Sequence, residues 1–245
     1  FAYPPSTEET NRKTMMKKLS MLLLVMASFM ACSKEKGSDV PVGDPSPGVF
    51  ICNEGNYMDG NGSLSFYNPA TKKVQNQIFY NRNGFPLGDV VQSMTIIGRT
   101  GFVVANNSGK VYAIDIDDYG YIGAITGLTS PRYVEPINEH KIYISDLYST
   151  SVTVADPTTF TVTGYIPVTP GTEQMTKAAE QPFVYICGWS YNDQVYKIDT
   201  RINETVDSIT VTKQPNSIVT DRNGKLWVLS DGGYEGSPYG QEIAA

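Results

Sequence analysis

Short apolar runs and polar loops alternate at a regular interval from Val49 onward. One run ends on a small or polar residue and recurs five times, as VFICN, FVVAN, IYISD, VYICG and LWVLS. A second run follows four of these copies after a polar loop, as SLSFYN, KVYAID, SVTVAD and QVYKID. Runs of this length, in which apolar and polar positions alternate, predict β-strands because successive side chains of a strand point to opposite faces.

The closing aspartate of the second run marks the length of the repeat. It stands at Asp115, Asp156 and Asp199, so successive copies are 41 and then 43 residues apart. That spacing is typical of a four-stranded blade. One such sheet cannot bury both of its faces alone, so the copies must pack against each other. The sequence therefore predicts an all-β fold, a β-propeller of four-stranded antiparallel blades.

The repeats account for four to five blades. Residues 49–82 are expected to form three strands, VFICNEG, GSLSFYN and VQNQIFYN, and the last copy stops after its second run. Closed propellers commonly complete one blade with strands from both termini, which removes exposed sheet edges. We therefore expect an incomplete propeller whose natural form has seven blades. An open or smaller propeller is the alternative.

The first 31 residues contain no copy of the repeat and have the pattern of an export signal. Met16-Lys17-Lys18 precedes an apolar run from Leu19 to Met30, and Ala31 precedes Cys32. This order is that of a bacterial secretory signal. A cysteine at the cleavage point resembles the bacterial lipobox, which implies lipidation of Cys32. Residues 1–31 are thus interpreted as upstream residues and a lipoprotein signal peptide; an ordinary signal peptide or an uncleaved anchor is the alternative.

The next segment, residues 32–47, is polar and rich in Ser, Gly and Pro, with no apolar periodicity. This composition predicts a flexible tether. Residues 48–245 then form the propeller domain, which is expected to be incomplete at its C-terminus. The net charge of −6 and the absence of a Lys or Arg cluster argue against nucleic acid as a partner.

Signals of catalysis are sparse. His140 is the only histidine, which excludes a His-based triad and a His-rich metal site within these repeats. Cys52 and Cys187 both occupy the small-residue position of the first run, which favours packing over a disulfide. We therefore predict that the chain is not an enzyme, with no catalytic residue, no metal ligand and no cofactor.

The loops of one propeller face are the candidate binding surface. Connections from second to third strands and connections between blades leave on the same face, and here they are rich in Tyr and Asn. Flat aromatic rings and neutral amides suit a large, polar, weakly charged small molecule. The alternative is that these residues only shape turns and strand ends. The candidate ligand-binding residues are Asn53, Glu54, Asn56, Tyr57, Asn106, Asn107, Arg132, Tyr148, Trp189, Tyr191, Asn192 and Tyr234.

One segment carries a family resemblance. The run FICNEGNYMDGNGSLSFYNPATKKV, from Phe50 to Val74, followed by blades ending in YxID, resembles the extracellular propeller lipoproteins of Bacteroidota. That family is a domain of unknown function related to the YncE-like and quinoprotein-like seven-bladed propellers. It includes surface lipoproteins that capture cobalamin and hand it to a TonB-dependent outer-membrane transporter. The resemblance covers residues 48–241 and implies corrinoid capture at the cell surface.

Together, the signal, the loops and the resemblance lead to one expected function. The chain is expected to be a lipoprotein of the outer membrane, exposed on the cell surface and anchored by Cys32. It would bind cobalamin or another corrinoid on the loop face and pass it to the transporter. The alternatives are a propeller enzyme of the lactonase or quinoprotein type, with a central acidic metal site, and a protein- or glycan-binding scaffold.

Overall fold

A computed structural model describes residues 47–178 and 181–233, and these residues form consecutive antiparallel sheets. The first sheet has three strands: β1 (Val49–Asn53), β2 (Ser63–Asn68) and β3 (Lys73–Gln75). The second sheet contains β4 (Val91–Ile97), β5 (Thr100–Ala105), β6 (Lys110–Asp115) and β7 (Tyr121–Ile125). The third contains β8 (Pro131–Asn138), β9 (Lys141–Asp146), β10 (Ser151–Asp156) and β11 (Thr161–Pro167).

The remaining strands continue the same pattern. The fourth sheet contains β12 (Thr172–Lys177), β13 (Phe183–Gly188), β14 (Gln194–Asp199) and β15 (Glu204–Thr210), and the fifth pairs β16 (Pro215–Thr220) with β17 (Leu226–Ser230). Within each sheet, neighbouring strands are consecutive in the chain, so every sheet is a simple meander. This order confirms the prediction of four-stranded antiparallel blades.

One predicted strand is wrong. The run VQNQIFYN was expected to be a strand, but β3 ends at Gln75 and a helix, α1 (Ile78–Asn83), follows. Gln77 turns the chain with a left-handed φ of 54°. Ile78 and Phe79 are consecutive and both buried, whereas neighbouring side chains of a strand would point to opposite faces. The rest of the fold buries both side chains, and this burial favours the helix over the strand that the apparent alternation predicted.

The sheets pack face to face and share apolar cores. Val104 and Ala113 of the second sheet are buried with Ile142 of the third. Val152 of the third sheet is buried with Ile186 of the fourth in the same way. Both faces of an inner sheet are therefore covered by its neighbours, which confirms the propeller prediction.

The first strands of adjacent sheets lie side by side and line the inner edge of the arrangement. β4 contacts β8, β8 contacts β12, and β12 contacts β16. Side chains join them to each other: the Ser93 hydroxyl donates to the Arg132 carbonyl at 2.6 Å, and the Thr95 hydroxyl donates to the Val134 carbonyl at 2.8 Å. In a propeller, the innermost strands of the blades line the central channel, and β4, β8, β12 and β16 occupy that position here.

Two sets of connections meet on one side of the molecule. The turn after β5 and the connection between β7 and β8 leave together, and the Leu128 N–H donates to the Gly109 carbonyl at 3.2 Å. The Asn106 side chain also donates to the carbonyl of Pro131 at 2.9 Å. We call this side the loop face. Within the described ranges, no helix is long and apolar enough to cross a bilayer.

Candidate functional site

The first strands depart from regular pairing where they approach the loop face. Their register shifts between Val91 and Ser93, between Pro131 and Val134, between Thr172 and Met175, and between Pro215 and Ser217. A bulge of this kind re-aims side chains away from the regular alternation. The residues at these irregular positions are mainly polar: Gln92, Arg132, Tyr133, Glu173, Gln174 and Asn216.

Three of these side chains form one hydrogen-bonded group, which we call the channel-mouth cluster: Gln92, Arg132 and Glu173. The Nε of Arg132 donates to the two carboxylate oxygens of Glu173 at 2.9 and 3.0 Å. Its Nη1 donates to Oε1 of Gln92 at 2.5 Å. Because each residue belongs to a different sheet, one arginine joins three consecutive blades at the channel.

The channel-mouth cluster is largely withdrawn from water. The side chain of Glu173 is 3% exposed and that of Arg132 is 20% exposed. Burial raises the pKa of Glu173 above its ordinary value, and the hydrogen bond from Arg132 offsets only part of this effect. Burial, followed by the charge of Glu173, also raises the pKa of the Cys187 thiol to about 12. That thiol is therefore protonated at neutral pH and a poor nucleophile.

A groove also lies on the loop face, between the third and fourth sheets. It encloses about 620 Å³ and brings together three of the predicted residues: Tyr148, Tyr191 and Asn192. We call it the tyrosine groove. Its other lining residues are Leu147, Thr169, Pro170, Ser190, Gln194, Tyr196 and Ser208. Among the residues that the structure describes, the lining combines aromatic rings with hydroxyl and amide groups and contains no charged side chain.

The shape of the tyrosine groove depends on a close approach between two loops. Gly171 has a φ of 96°, and a Cβ there would lie 2.6 Å from the Cβ of Ser190. The Trp189 N–H donates to the Gly171 carbonyl at 2.6 Å. Asn192 orders the rest of the loop, because its Oδ1 accepts the N–H of Asp193 and its Nδ2 donates to the Tyr196 hydroxyl. The wall of the groove is thus built before any ligand arrives.

The predicted residues of the first two sheets do not line the tyrosine groove, and one of them, Asn107, contacts Asp89. One oxygen of Asp89 accepts the backbone N–H of Met58 at 2.8 Å and the side-chain amide of Asn107 at 2.5 Å. Tyr57, next to Met58, is 71% exposed. Asn56 donates to Asp59 within its own loop. Asp89 therefore ties the loop after β1 to the loop after β5.

Other predicted residues hold the fold together. Asn53 donates to the Ser65 hydroxyl at 2.9 Å within the first sheet. Asn106 is buried and donates to Ser130 and Pro131. The Trp189 indole donates to Asp231 at 2.8 Å.

Only one of the remaining predicted residues lies in the part of the chain that the structure describes. This residue, Glu54, is exposed on the loop face. Tyr234 and the predicted lipidation site Cys32 lie outside the described residues.

The sequence reasoning did not select Gln92, Asp89 or Glu173. A signal was present for two of them: Gln92 and Glu173 each follow the residue that opens a first strand, Val91 or Thr172, and so occupy the same position of the repeat as the predicted residue Arg132. Asp89 has no such counterpart. Among the residues that the structure covers, no three His, Cys, Asp or Glu side chains come together as a metal site.

The family described as a domain of unknown function (DUF5074) matches residues 47–233. Because the match spans most of the sequence, the chain belongs to this family. No curated protein sequence matches it.

Three solved structures have similar folds at low sequence identity, and one of them is a β-propeller domain. Kuenenia stuttgartiensis hydrazine synthase is 20% identical with a TM-score of 0.54, over 60% of this chain and 46% of that one. The β-propeller domain of Myceliophteria thermophila Cps50 (Swd1) is 14% identical with a TM-score of 0.58, over 71% and 57%. Dihydro-heme d1 dehydrogenase NirN in complex with DHE is 12% identical with a TM-score of 0.57, over 76% and 41%. The chain thus spans about half the length of these proteins, and the likeness concerns the fold.

Proposed function

We propose that this member of the DUF5074 family is a cell-surface lipoprotein that binds cobalamin or another corrinoid on the loop face and passes it to a TonB-dependent outer-membrane transporter. The observation that carries the proposal is the tyrosine groove. Tyr148 and Tyr191 are 69% and 46% exposed and stand on the loops of adjacent sheets. A groove whose described lining consists of rings, hydroxyls and amides, without a charged side chain, suits a large and weakly charged ligand.

The chemistry of a corrinoid matches this lining. A corrinoid has apolar edges and a periphery rich in carboxamides. The rings of Tyr148 and Tyr191 would pack on the apolar edge, because aromatic side chains bury a large area with few rotatable bonds. The Ser208 hydroxyl and the amide oxygen of Gln194, whose nitrogen already donates to Asp193 and Thr210, would pair with the peripheral amides. The groove, at about 620 Å³, would hold one edge of such a ligand.

Preformed loops support capture without turnover. The groove wall is already fixed by the contact between Gly171 and Ser190 and by the hydrogen bonds of Asn192. Binding would therefore order few additional side chains, which favours affinity. The lipid on Cys32 and the tether of residues 32–47 would keep the domain close to the transporter and raise its effective concentration there.

Binding is tested by titrating the purified chain with cyanocobalamin and following visible absorbance and heat. We expect saturable binding at micromolar ligand or below. Tyr148→Ala and Tyr191→Ala should each weaken it about 10-fold, because each removes one ring of an anchor pair. Tyr165→Ala is the matched control, since Tyr165 is 64% exposed but lies on β11 outside the groove. No saturation at micromolar ligand, or equal losses in all three variants, would refute the proposal.

The anchor and the location are tested separately in the native host. Cys32→Ser should move the protein from the outer-membrane fraction to the soluble fraction. Brief protease treatment of intact cells should remove the wild-type protein from the surface. A wild-type protein that stays protected from the protease in intact cells would contradict surface exposure.

A further inference from the structure

The guanidinium of Arg132 is held rigidly at the channel mouth. Its Nε is occupied by Glu173 and its Nη1 by Gln92. The two partners are 41 and 40 residues away and lie on the sheets on either side. The fork of Arg132 therefore has little freedom to rotate, which preorganises its remaining N–H groups.

The outer nitrogen of this fork is available to a ligand. Nη2 of Arg132 has no hydrogen-bond partner among residues 47–178 and 181–233. Within these ranges, the buried side-chain polar atoms that lack a partner comprise only Oδ1 of Asp89. Nη2 is therefore open to solvent, in agreement with the 20% exposure of the side chain. It offers donors to an oxygen atom that enters the channel mouth from the loop face.

The charge of the site decides which oxygen it accepts. Arg132 carries one positive charge and the adjacent carboxylate of Glu173 cancels it. A carboxylate ligand at Nη2 would be attracted by Arg132 and repelled by Glu173, so little net attraction would remain. It would still lose its hydration on entering the site. An amide carbonyl loses much less on leaving water and accepts the same hydrogen bond.

We infer that the channel-mouth cluster is a specificity site that accepts an uncharged carboxamide or carbonyl group of the ligand and rejects a carboxylate at that position. Arg132 is the donor, and Glu173 and Gln92 are positioning residues that act through it. The inference rests on the proposed function, because it names the peripheral group of the captured corrinoid that this part of the loop face would read.

The test compares cyanocobalamin with its separated monocarboxylic acids, in which one peripheral propionamide has been hydrolysed. Wild-type protein should bind at least one of these acids 10-fold or more weakly than cyanocobalamin. In Glu173→Gln the positive charge of Arg132 is no longer cancelled, so the same acid should regain at least 5-fold relative to cyanocobalamin. Glu204→Gln is the matched control, because it makes the same charge change on the exposed outer strand β15. It should leave both affinities unchanged.

The outcomes separate the two proposals. Equal affinity of wild-type protein for cyanocobalamin and for every acid overturns the inference and leaves corrinoid capture standing. A selectivity that Glu173→Gln does not change also overturns it. Failure of wild-type protein to bind cyanocobalamin overturns corrinoid capture, and the inference falls with it.

A second variant covers the case in which Glu173→Gln does not fold, as judged by circular dichroism. Arg132→Gln/Glu173→Gln removes both charges and leaves no unpaired buried ion. We expect this variant to bind cyanocobalamin more weakly, because the fixed guanidinium donor is gone. The affinity for the disfavoured acid should fall by a similar factor. The ratio of the two affinities should therefore stay within 3-fold of the wild-type ratio. Unchanged cyanocobalamin affinity in the folded double variant would refute a role for Arg132.

Discussion

Arg132 and Glu173 form an ion pair across the boundary between the third and fourth sheets, with the arginine Nε 2.9 Å from one carboxylate oxygen. The glutamate is 3% exposed. A buried pair of this kind contributes little net stability relative to apolar residues of the same size, but breaking it leaves an uncompensated buried charge. The pair is therefore expected to fix the positions of two adjacent blades relative to each other.

Removing only the arginine should be costly. We expect Arg132→Met to lower the free energy of unfolding by about 3 to 5 kcal/mol at pH 7, because Glu173 stays buried without its partner. Arg132→Met/Glu173→Leu should recover most of this loss. Urea unfolding curves measure both. The control is Arg201→Met, which breaks an ion pair with Asp199 in which the arginine is 67% exposed. A cost for Arg132→Met no larger than that of the control would contradict the prediction.

Glu135 should make stability depend on pH. Burial raises its pKa from 4.5 to about 7, and the N–H of Lys177 offsets only part of this. The folded state therefore binds this proton more tightly than the unfolded state does. The resulting stabilisation is complete below pH 4.5 and is lost as the pH rises through about 7. We expect Glu135→Gln, which keeps the oxygen that accepts the Lys177 N–H, to raise the free energy of unfolding by about 2 kcal/mol at pH 8.

The measurement for Glu135 is urea unfolding at pH 4.5 and pH 8. The gain in Glu135→Gln should appear at pH 8 and disappear at pH 4.5, where the wild-type carboxyl is already protonated. Glu204→Gln, on an exposed strand, is the control for a simple change in net charge. A gain of equal size at both pH values would show that titration of Glu135 is not its source.

Asn203 links the third and fourth sheets on the face opposite the loops. Its Oδ1 accepts the Tyr143 hydroxyl at 2.7 Å and the Lys141 ammonium at 3.0 Å. Its φ of 56° also suits Asn better than most residues. We expect Asn203→Ala to cost about 2 kcal/mol, because a buried hydroxyl loses its acceptor and the Lys141 ammonium keeps only its second acceptor, the Thr200 carbonyl.

Two variants separate the contributions at Asn203. Asn203→Gly removes the acceptor without the backbone strain and should cost less than Asn203→Ala. Tyr143→Phe removes one donor and should cost about 1 kcal/mol. Thermal unfolding compares the three. Equal stability of Asn203→Ala and wild type would mean that this link does not hold the sheets together.

The close contact at Gly171 should be essential to the tyrosine groove. Gly171→Ala would place a Cβ 2.7 Å from the Ser190 backbone nitrogen, so one of the loops must move. We expect a weaker binding of cyanocobalamin together with a loss of stability of about 2 kcal/mol. Gly127→Ala is the matched control, since Gly127 has a φ of 80° and nothing within 4 Å of the added Cβ.

The control isolates backbone strain from steric conflict. Gly127→Ala should lose about 1 kcal/mol in urea unfolding, because an alanine at positive φ is strained. It should bind cyanocobalamin as wild type does. If Gly171→Ala behaves like Gly127→Ala in both measurements, the loop contact does not shape the groove.

Much of the architecture could be predicted from the sequence, because the strands of one blade are consecutive in the chain. Strand pairs such as β5 and β6 are consecutive in sequence, and their alternating apolar residues specify which faces are buried. The segment after β3 was read wrongly because Ile78 and Phe79 are both buried in α1. That burial depends on rings such as Phe85 and Tyr112, whose centroids lie 5.1 and 5.6 Å from that of Phe79.

The candidate site was only partly predictable. Tyr148, Tyr191 and Asn192 were selected as loop residues and do line one groove. Asn106 was predicted by the same argument, yet it is buried and donates hydrogen bonds to Ser130 and Pro131, which join the loop after β5 to the start of β8. Composition alone cannot distinguish an amide that awaits a ligand from one that already has two protein partners.

The sequence by itself determined the repeat, the strands and the burial of their faces, because each of these depends on residues close together in the chain. Tertiary structure alone decided that Gln92, Arg132 and Glu173 meet. They are separated by about one repeat each, and no local preference brings them within hydrogen-bonding distance. Their contact exists because sheet packing sets the first strands side by side and a bulge in each strand turns the side chain towards the channel.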